Sequence, residues 1–484
     1  MSAVSCYTVL VNMPVQRSQA SASGTPARGA LRARLVAELK TRIASGTLAV
    51  GSALPSVRAL AREHRISAFT AAEVYNVLVA TGLIEARRGR GYFVAGVAPP
   101  APPSAHGATA DAVWERRLEA RAQPILVDAG GGWLPAGWQY GEGIRAALRA
   151  QARQPLSAHG YGSPFGLEAL RSHFATQLRS RGLAIADDSL VLTQGASQAL
   201  DLIVRTLLEP GDVVAVEDPA YPPTLELLRA RGVRLLGVPR LADGPDTTAL
   251  ERLARRRRLA AFFTNTTLHN PTGTTTTLPV ARRVLEIAEG HGFRIIEDDI
   301  FAELAPTPVL PLAALDQCRR VVYVSSVSKT IAPSLRVGFA AASPEVARRL
   351  ARAKVLSALA SGELVEQLAL GVLTLPHYRR HLESLRRRLA ASQERVQATL
   401  LSRGAELAFR PVAGLFLWGR LRSRDSVSRL WRSAAAAGVL LAPGELFRPD
   451  GRVTPYWRFN VAQSDGDELA RFLDALANRE RRGS

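Results

Sequence analysis

Cysteine is nearly missing from this chain, which has Cys6 and Cys318 and no other cysteine in 484 residues. The two form no closely spaced pair, so the sequence argues against a disulfide framework and against a zinc cluster built on cysteines. His377 and His381 are four residues apart, but no glutamate lies between them as in the HExxH zinc motif. We therefore expect no metal site, and the low cysteine content suits the reducing cytoplasm.

Long apolar runs are also missing, although 47% of the residues are hydrophobic. No run approaches the roughly 18 residues that a membrane-spanning helix needs, so we expect a globular chain without a membrane partner. Residues 1–27 hold no basic patch followed by an apolar core, which argues against a secretory signal. We expect a disordered tail there, and Met13, one of two methionines, is an alternative start of translation.

Lysine is also scarce in this chain. Of 62 basic residues three are lysine, namely Lys40, Lys329 and Lys354, and the other 59 are arginine. Arginine replaces lysine as a point charge on most surfaces, but it cannot form a Schiff base because the guanidinium stays protonated. Lys329, in "VVYVSSVSKTIAPSLRVGF", is therefore a candidate for binding an aldehyde cofactor.

The net charge of +20 fits a nucleic-acid partner or merely an arginine-rich composition, so the position of the charge matters more than its sum. Residues 28–96 carry eleven Lys or Arg against four Glu. After them, "AGVAPPAPPSAHGATA" is too rich in proline and small residues to build a core, which indicates a linker. We expect a tail (1–27), a basic domain (28–96), a linker (97–124) and a large domain (125–480).

The basic segment predicts three helices followed by a β-hairpin, which together form an α+β winged helix-turn-helix. The helices are indicated by "LRARLVAELKTRIASG", "LPSVRALAREH" and "ISAFTAAEVYNVLVATG", and the hairpin by "LIEARRGRGYFV". The third helix is expected to enter the major groove of double-stranded DNA, and the basic turn to reach phosphate or the minor groove. The alternative is a small basic helical domain that binds protein.

The whole segment resembles the DNA-binding domain of GntR-type regulators, through "LPSVR", the Ser-x-x-Thr start of the third helix and "RRGRGYFV". The resemblance implies DNA contacts for six residues: Arg58, Ser67, Thr70, Arg88, Gly89 and Arg90. One position departs from the family, which usually has arginine directly after the helix-starting serine. Ala68 stands there, so a donor to phosphate or guanine is missing.

The large domain alternates short apolar runs, such as "VVAVED" and "FRIIEDD", with amphipathic helical stretches. This alternation predicts an α/β domain with a mostly parallel sheet. Within it lie residues that pyridoxal 5′-phosphate requires: a phosphate cup, an aromatic ring to stack, a donor to the ring hydroxyl and a carboxylate for the pyridine nitrogen. The candidates, in chain order, are Gly195, Ala196 and Ser197, Tyr221, Asn270, Asp298, and Ser326 and Arg336 on either side of Lys329.

These motifs, in this order over roughly 140 residues, resemble the class I branch of the fold-type I aminotransferases. The resemblance implies that Lys329 is the Schiff-base lysine, Asp298 the partner of the pyridine nitrogen and Asn270 the donor to the ring hydroxyl. It also implies that Tyr161 reaches the phosphate of the neighbouring subunit and that Arg458 clamps a substrate carboxylate. Phe301 departs from the family, which commonly has a tyrosine there that bonds the ring oxygen.

The two domains in this order resemble the MocR-type subfamily of GntR regulators. The resemblance implies a dimeric, cytoplasmic transcription factor that binds pyridoxal phosphate and senses it or a small amino compound. Two alternatives stay open. One is a working aminotransferase with an auxiliary DNA-binding domain, so enzyme activity is undecided. The other is a repressor whose large domain dimerises and has lost the cofactor.

Overall fold

A computed structural model describes residues 35–39, 42–43, 47–49, 51–80, 83–87, 91–94, 125–153, 161–423 and 425–482. The expected tail and linker, and with them the wing residues Arg88, Gly89 and Arg90, lie outside these described residues. The chain divides into two compact units, residues 1–105 and 106–484. In the part of the chain that the structure describes, no helix is long and apolar enough to cross a bilayer.

The first unit is built from helices and one hairpin, as the sequence predicts. Residues 35–39 are helical, and the elements after them are α1 (Val57–Glu63), α2 (Ala68–Ala80), β1 (Ile84–Arg87) and β2 (Gly91–Val94). The strands pair antiparallel, with Ile84 opposite Val94. Ser56 caps α1 by accepting a hydrogen bond from the amide of Ala59 at 3.2 Å.

The core of this unit is a small apolar cluster beneath the second and third predicted helices. Along α2, Ala71, Val74, Tyr75 and Leu78 recur at helical spacing and are fully buried. The hydroxyl of Tyr75 donates to the carbonyl of Pro55 at 2.6 Å, which ties α2 to the start of α1.

The second unit is built on an eight-stranded sheet, whose order along the sheet is β3-β10-β9-β8-β7-β4-β5-β6. The pairs from β9 through β5 are parallel, and β10 and β6 run antiparallel to their neighbours, so the predicted mostly parallel α/β sheet is confirmed. The strands are β3 (Leu190–Thr193), β4 (Val213–Asp218), β5 (Arg234–Leu241), β6 (Gly244–Pro245), β7 (Ala261–Thr264), β8 (Arg294–Asp298), β9 (Val321–Ser326) and β10 (Gly338–Ala341).

Helices cover both faces of this sheet and bury two large apolar clusters against it. They are α3 (Gly141–Gln151), α4 (Glu168–Ser180), α5 (Gly195–Leu207), α6 (Pro222–Ala230), α7 (Thr247–Arg256), α8 (Leu278–His291), α9 (Leu312–Asp316), α10 (Pro344–Ala358) and α11 (Glu363–Leu373).

A smaller lobe follows, with a four-stranded antiparallel sheet in the order β11-β12-β14-β13 and a core of its own. Its elements are α12 (Tyr378–Ser402), β11 (Glu406–Leu407), β12 (Phe416–Arg420), α13 (Val427–Ala436), β13 (Ala442–Pro443), β14 (Tyr456–Asn460), α14 (Val461–Ser464) and α15 (Asp467–Arg482). The segment at the start of the unit joins this lobe, because Val127 pairs with Val439.

Candidate functional site

The candidate site lies at the carboxyl edge of the large sheet. Because β3, β4, β7, β8 and β9 run in the same direction, the residues that follow them meet at one edge. These residues include Gly195 after β3, Tyr221 after β4, Asn270 after β7, Asp298 at the end of β8 and Lys329 after β9. The sheet topology therefore brings together groups that lie up to 134 positions apart in the sequence.

Lys329 ends a single 3-10 turn, Val327–Lys329, which Ser326 caps through a hydrogen bond from the amide of Ser328. Its Nζ donates to the backbone carbonyl of Gly132 at 2.7 Å. Burial, assisted by Arg458 and Arg336 and opposed by Asp298, lowers the pKa of Lys329 to about 8. An amine with this pKa has a far larger neutral fraction near physiological pH than an ordinary lysine, and the neutral form is the one that attacks a carbonyl group.

Asp298 is the acid of the site. It is 9% exposed, and burial raises the pKa of its carboxyl to about 7, with Lys329 acting in the opposite direction. The side-chain amide of Asn265 donates to its backbone carbonyl at 2.6 Å, which fixes the end of β8. A carboxyl in this environment gains from a positively charged partner, because a cation favours its ionised form.

The two acids on either side of Asp298 have structural roles. Glu297 accepts hydrogen bonds from the amides of Leu312 and Ala313, both at 2.9 Å, and so caps α9. Asp299 pairs with Arg181 at 2.8 Å. Of the three acids in "EDD", Glu297 and Asp299 bind neighbouring segments of the fold, and Asp298 is the one that remains for the site.

Asn270 and Arg458 are held together. The Nη1 of Arg458 donates to Oδ1 of Asn270 at 2.9 Å, and the amide of Asn270 donates to Oδ1 of Asn265 at 2.7 Å. This geometry turns the NH₂ of the Asn270 side chain away from Arg458 and leaves it available to another acceptor.

Arg458 is 7% exposed and comes from β14 of the smaller lobe. Its guanidinium lies 4.6 Å from the ring centre of Phe416 and 4.9 Å from that of Phe447, and it also donates to the carbonyl of Gly130. Contact with two aromatic rings helps to hold the planar guanidinium in one orientation, as bidentate binding of a carboxylate requires.

The turn between β3 and α5 forms a small cradle. Gly195 has a positive φ of +77°, and a Cβ placed on it would lie 2.6 Å from Nη2 of Arg336. Arg336 in turn donates to the carbonyl of Gln194 at 3.0 Å, and its own side chain is exposed. The following residues, half-buried Ala196 and exposed Ser197, form the first turn of α5, where backbone N–H groups are unpaired within the helix.

Ser326 and Tyr221 complete the predicted cofactor set. The hydroxyl of Ser326 donates to the carbonyl of Val337 at 2.9 Å and lies 2.8 Å from that of Ser328. Tyr221 precedes α6 and is half-buried. Burial and Asp298 raise the pKa of its phenol, and Arg458 and Arg336 act in the opposite direction, so it lies among the same charged groups.

Tyr161 lies on the surface, 86% exposed. The same segment is anchored at Leu167, whose amide donates to Glu366 at 2.7 Å. A single chain therefore presents Tyr161 outward.

Phe301, the departure noted in the sequence, is 1% exposed and packs edge-on against Phe416 with ring centres 5.6 Å apart. The Nζ of Lys329 lies 6.0 Å from the centre of its ring. Phe301 therefore presents an aromatic ring, without a hydroxyl, toward the amine of Lys329.

A run of three glycines, Gly130, Gly131 and Gly132, is part of the site, and sequence reasoning missed it. Their carbonyls accept hydrogen bonds from Arg458, Asn460 and Lys329, respectively. A Cβ on Gly130 would collide with the backbone of Ala442, so this close approach needs glycine. The signal was available as "GGG", separated by five residues from the end of the expected linker. We call residues 125–134 the glycine strap.

In the first unit, the predicted DNA-contacting residues that the structure describes lie at the surface. Arg58 is exposed on α1, and Ser67 is exposed at the start of α2. The hydroxyl of Ser67 accepts a hydrogen bond from the amide of Thr70 at 3.0 Å and lies 2.8 Å from the hydroxyl of Thr70.

The histidine pair is not arranged as a metal site. The Nε2 of His381 donates to the carbonyl of Thr330 at 2.8 Å, behind the turn of Lys329, while His377 is exposed. Within the described ranges, no three His, Cys, Asp or Glu side chains are grouped so that they could hold a metal ion.

Two family models match the chain. The model of aminotransferase class I and II matches residues 139–476, and that of bacterial regulatory proteins of the gntR family matches residues 31–94. The HTH-type transcriptional regulator TauR of Rhodobacter capsulatus is 32% identical over 87% of this chain and 90% of its own length. The probable rhizopine catabolism regulatory protein MocR of Rhizobium meliloti is 27% identical over 85% of each.

Among solved structures, the chain resembles LysN, an α-aminoadipate aminotransferase from Thermus thermophilus in complex with N-(5′-phosphopyridoxyl)-L-leucine. The identity is 27% and the TM-score 0.68, over 76% of this chain and 94% of that one. The matched enzyme therefore covers the second unit, while the two regulators extend over both.

Proposed function

This chain belongs to the aminotransferase class I and II family, and we propose that it is a MocR-type transcriptional regulator that holds pyridoxal phosphate on Lys329. Its GntR-family domain is the DNA-binding part. Relatives that match both units are named as transcriptional regulators. A regulator works where its DNA is, so we place the protein in the cytoplasm.

The residues of the site fit this cofactor. At the cradle, the absence of a Cβ on Gly195 lets the guanidinium of Arg336 approach the start of α5, which places a charged donor for an anion there. Backbone N–H groups of Ala196 and Ser197, at a helix start, favour a phosphate there. The buried carboxyl of Asp298 suits a protonated pyridine nitrogen, and Lys329 supplies the amine.

When bound, pyridoxal phosphate supplies an aldehyde that combines with amines and a ring that withdraws electrons. Lys329 would hold the aldehyde, Asp298 the proton on the ring nitrogen, and the NH₂ of Asn270 the ring oxygen. Tyr221 would cover a face of the ring, and Ser326 would assist Arg336 at the phosphate.

The signal is expected to be an amine with a carboxylate. Arg458 is buried, contacts two aromatic rings, and donates to Asn270 beside the proposed ring oxygen. A planar guanidinium fixed in this way recognises a carboxylate with two parallel hydrogen bonds. An amino acid would then be oriented with its amine toward Lys329 and its carboxylate toward Arg458.

A homodimer would complete the site. Tyr161 is 86% exposed. Leu356 of α10 and Leu364 of α11 are also exposed, at 85% and 48%, respectively. The segment of Tyr161 borders α11, because a Cβ on Gly162 would lie 3.4 Å from Glu363. Exposed apolar side chains of this size indicate a protein contact, and a second copy would receive Tyr161 at its phosphate.

The glycine strap offers a route from the site to the DNA-binding domain. Lys329 donates to Gly132 within the strap, and the strap follows directly on residues 97–124, which lead from the first unit. Lys329 would hold the cofactor through Nζ, so cofactor binding would compete with this hydrogen bond. The strap would then respond to the state of Lys329.

The main observation behind this proposal is that the amine of Lys329 lies among the charged groups of Asp298, Arg336 and Arg458. The test uses the full-length protein and the DNA upstream of its own gene. Fluorescence anisotropy gives the DNA affinity with and without pyridoxal phosphate. Visible absorbance after removal of free cofactor reports attachment. Lys329→Ala removes the amine, and Lys329→Arg is the matched variant that keeps the charge.

We expect wild type to bind the cofactor and to change its DNA affinity, and both variants to lose cofactor attachment and the change. An identical response in wild type and Lys329→Ala would show that attachment is not the signal. If wild type binds no DNA sequence, the regulatory function itself is wrong.

The geometry around Arg458 also favours a second function, transamination, because it would orient an amino acid next to the amine of Lys329. The enzyme 2-aminoadipate transaminase of Thermus thermophilus is 31% identical over 72% of this chain and 87% of its own length. Turnover of an amino acid with a keto acid, measured on the same preparation, tests it directly. Sustained turnover without any effect on DNA binding would favour the enzyme over the regulator.

A further inference from the structure

A large aromatic side chain lies exposed at the start of α2, the helix expected to enter the major groove. Phe69 is the second residue of this helix and is 74% exposed. Aromatic residues are only 6% of the chain. Because helices of this kind contact base edges at this point, an exposed phenylalanine here indicates a contact with DNA.

Folding of the domain does not require Phe69. The buried face of α2 consists of Ala71, Val74, Tyr75 and Leu78. At 3.6 residues per turn, Phe69 points to the opposite side of the helix. It shares that side with exposed Asn76, seven residues further on.

The polar groups next to Phe69 are engaged with each other. Ser67 caps the helix through the amide of Thr70, and the two hydroxyls are 2.8 Å apart. Between them the helix presents Ala68 and Phe69, both exposed. The first turn of α2 therefore offers exposed apolar surface.

In the major groove, thymine is the base that presents a methyl group, and alanine and phenylalanine are side chains that contact it. Guanine instead presents two acceptors, which need a donor such as arginine. We propose that Phe69, flanked by Ala68, contacts the 5-methyl group of a thymine in each operator half-site. The inference rests on the proposed DNA-binding function and names the base that this helix selects.

The test starts from DNA selected out of a random library by the full-length protein. In the selected site, each thymine in turn is replaced by uracil, which removes the methyl group and keeps the hydrogen-bonding edge. Affinity is measured by fluorescence anisotropy. We expect one thymine per half-site to be sensitive, with a loss of roughly fourfold per half-site, the value of burying one methyl-sized group.

The variant Phe69→Ala is then measured on the same thymine and uracil sites. This variant should bind the thymine site more weakly and should lose the distinction between thymine and uracil at that position. Val79→Ala is the matched control, because Val79 is also exposed, at 38%, near the other end of the same helix. It should keep the distinction. Circular dichroism shows that both variants are folded.

The possible results distinguish a failure of the methyl contact from a failure of DNA binding itself. If the library yields no enriched DNA, the DNA-binding function is wrong. If DNA is enriched but wild type binds the uracil sites as tightly as the thymine site, the contact with the methyl group is wrong and the function stands. Equal thymine preference in wild type and Phe69→Ala would assign the methyl contact to another residue.

Discussion

The amine of Lys329 donates to the carbonyl of Gly132, 2.7 Å away, across 197 positions of sequence. Gly132 belongs to the glycine strap, whose neighbouring carbonyls accept from Arg458 and Asn460. One short segment is thus bound to the proposed cofactor lysine and to the proposed carboxylate arginine. A ligand that engages either side chain competes with the strap for it.

The rate at which Lys329 captures pyridoxal phosphate should depend on pH with a midpoint near 8, not 10.5. Burial lowers the pKa of Lys329 to about 8. At pH 7 the neutral fraction is then on the order of a tenth, instead of a few parts in ten thousand. The rate should rise with pH below 8 and level off above it. Stopped-flow absorbance measures this profile.

Two variants should move that midpoint in opposite directions. Arg458→Gln removes a positive charge that disfavours the ammonium, so the pKa of Lys329 should rise. Asp298→Asn removes a negative charge that favours it, so the pKa should fall. A midpoint that stays unchanged in both would show that these charges do not act on Lys329.

Gly195→Ala should weaken cofactor binding by roughly tenfold to a hundredfold, the cost of losing a charge-assisted hydrogen bond. The added Cβ would lie 2.6 Å from Nη2 of Arg336 and would push it out of the cradle. Gly292→Ala is the control, because Gly292 has almost the same φ of +76° and no atom within 4 Å. Both variants should lose about 1 kcal/mol of stability to backbone strain.

Equilibrium titration with pyridoxal phosphate separates the two effects in these variants. An equal loss of affinity in both would assign the effect to strain and not to the cradle.

Phe301→Tyr should be destabilised without cofactor and recover when it is added. Phe301 is 1% exposed and packs against Phe416, so a hydroxyl there has no water to bond. An unsatisfied buried hydroxyl costs about 1–3 kcal/mol. The proposed ring oxygen would accept from it and remove that penalty. Urea unfolding with and without pyridoxal phosphate measures the difference.

Phe262→Tyr is the control for this prediction, because Phe262 is fully buried in the sheet core within β7. It should lose stability equally in both conditions. Recovery of Phe262→Tyr with cofactor would indicate general stabilisation and contradict the specific contact.

Much of this architecture follows from local patterns. The alternation of apolar runs with amphipathic stretches predicts the α/β sheet, and the strand ends in "EDD" and "SSVSK" place Asp298 and Lys329 at one edge. Which of the three acids faces the site was not derivable from spacing. It depends on Glu297 capping α9 and on Asp299 pairing with Arg181, contacts between distant segments.

The glycine strap shows the same limit more clearly. Its three glycines are visible in the sequence, but their role depends on carbonyls that meet Arg458 and Lys329 from far along the chain. No periodicity encodes such a contact. Glycine there is needed because the backbone passes against Ala442, which is a property of the packed structure.

Lys354 extends the argument from lysine scarcity to a second position. It is 0% exposed, and its Nζ donates to the carbonyl of Leu192 at 2.8 Å, two residues before the turn that leads to Gly195. Glu366, 3% exposed, favours the charged form of Lys354 and also accepts from the amide of Leu167. Lys354 is thus hydrogen-bonded to β3, and Glu366 to the segment that carries Tyr161, while Glu366 acts on Lys354 through its charge.

Removing either side chain should cost about 1–3 kcal/mol, because it leaves a buried backbone hydrogen-bonding group unsatisfied. We expect this loss of unfolding free energy for Lys354→Met and for Glu366→Gln alone, with partial recovery in the double variant. A double-mutant cycle from urea unfolding measures the coupling. Strictly additive losses would show that the two side chains do not interact.

The pH dependence tests why arginine did not replace this lysine. Burial lowers the pKa of Lys354 to about 8 from an ordinary 10.5. Between these values the unfolded chain binds the extra proton, so the stability of wild type should rise with pH relative to Lys354→Met, and this gain should be absent below pH 8. Lys354→Arg should lack this gain above pH 8, because a guanidinium cannot release its proton in the core. If Lys354→Arg were as stable as wild type, scarcity of lysine would carry no information about Lys354, and the same inference for Lys329 would rest on its neighbours alone.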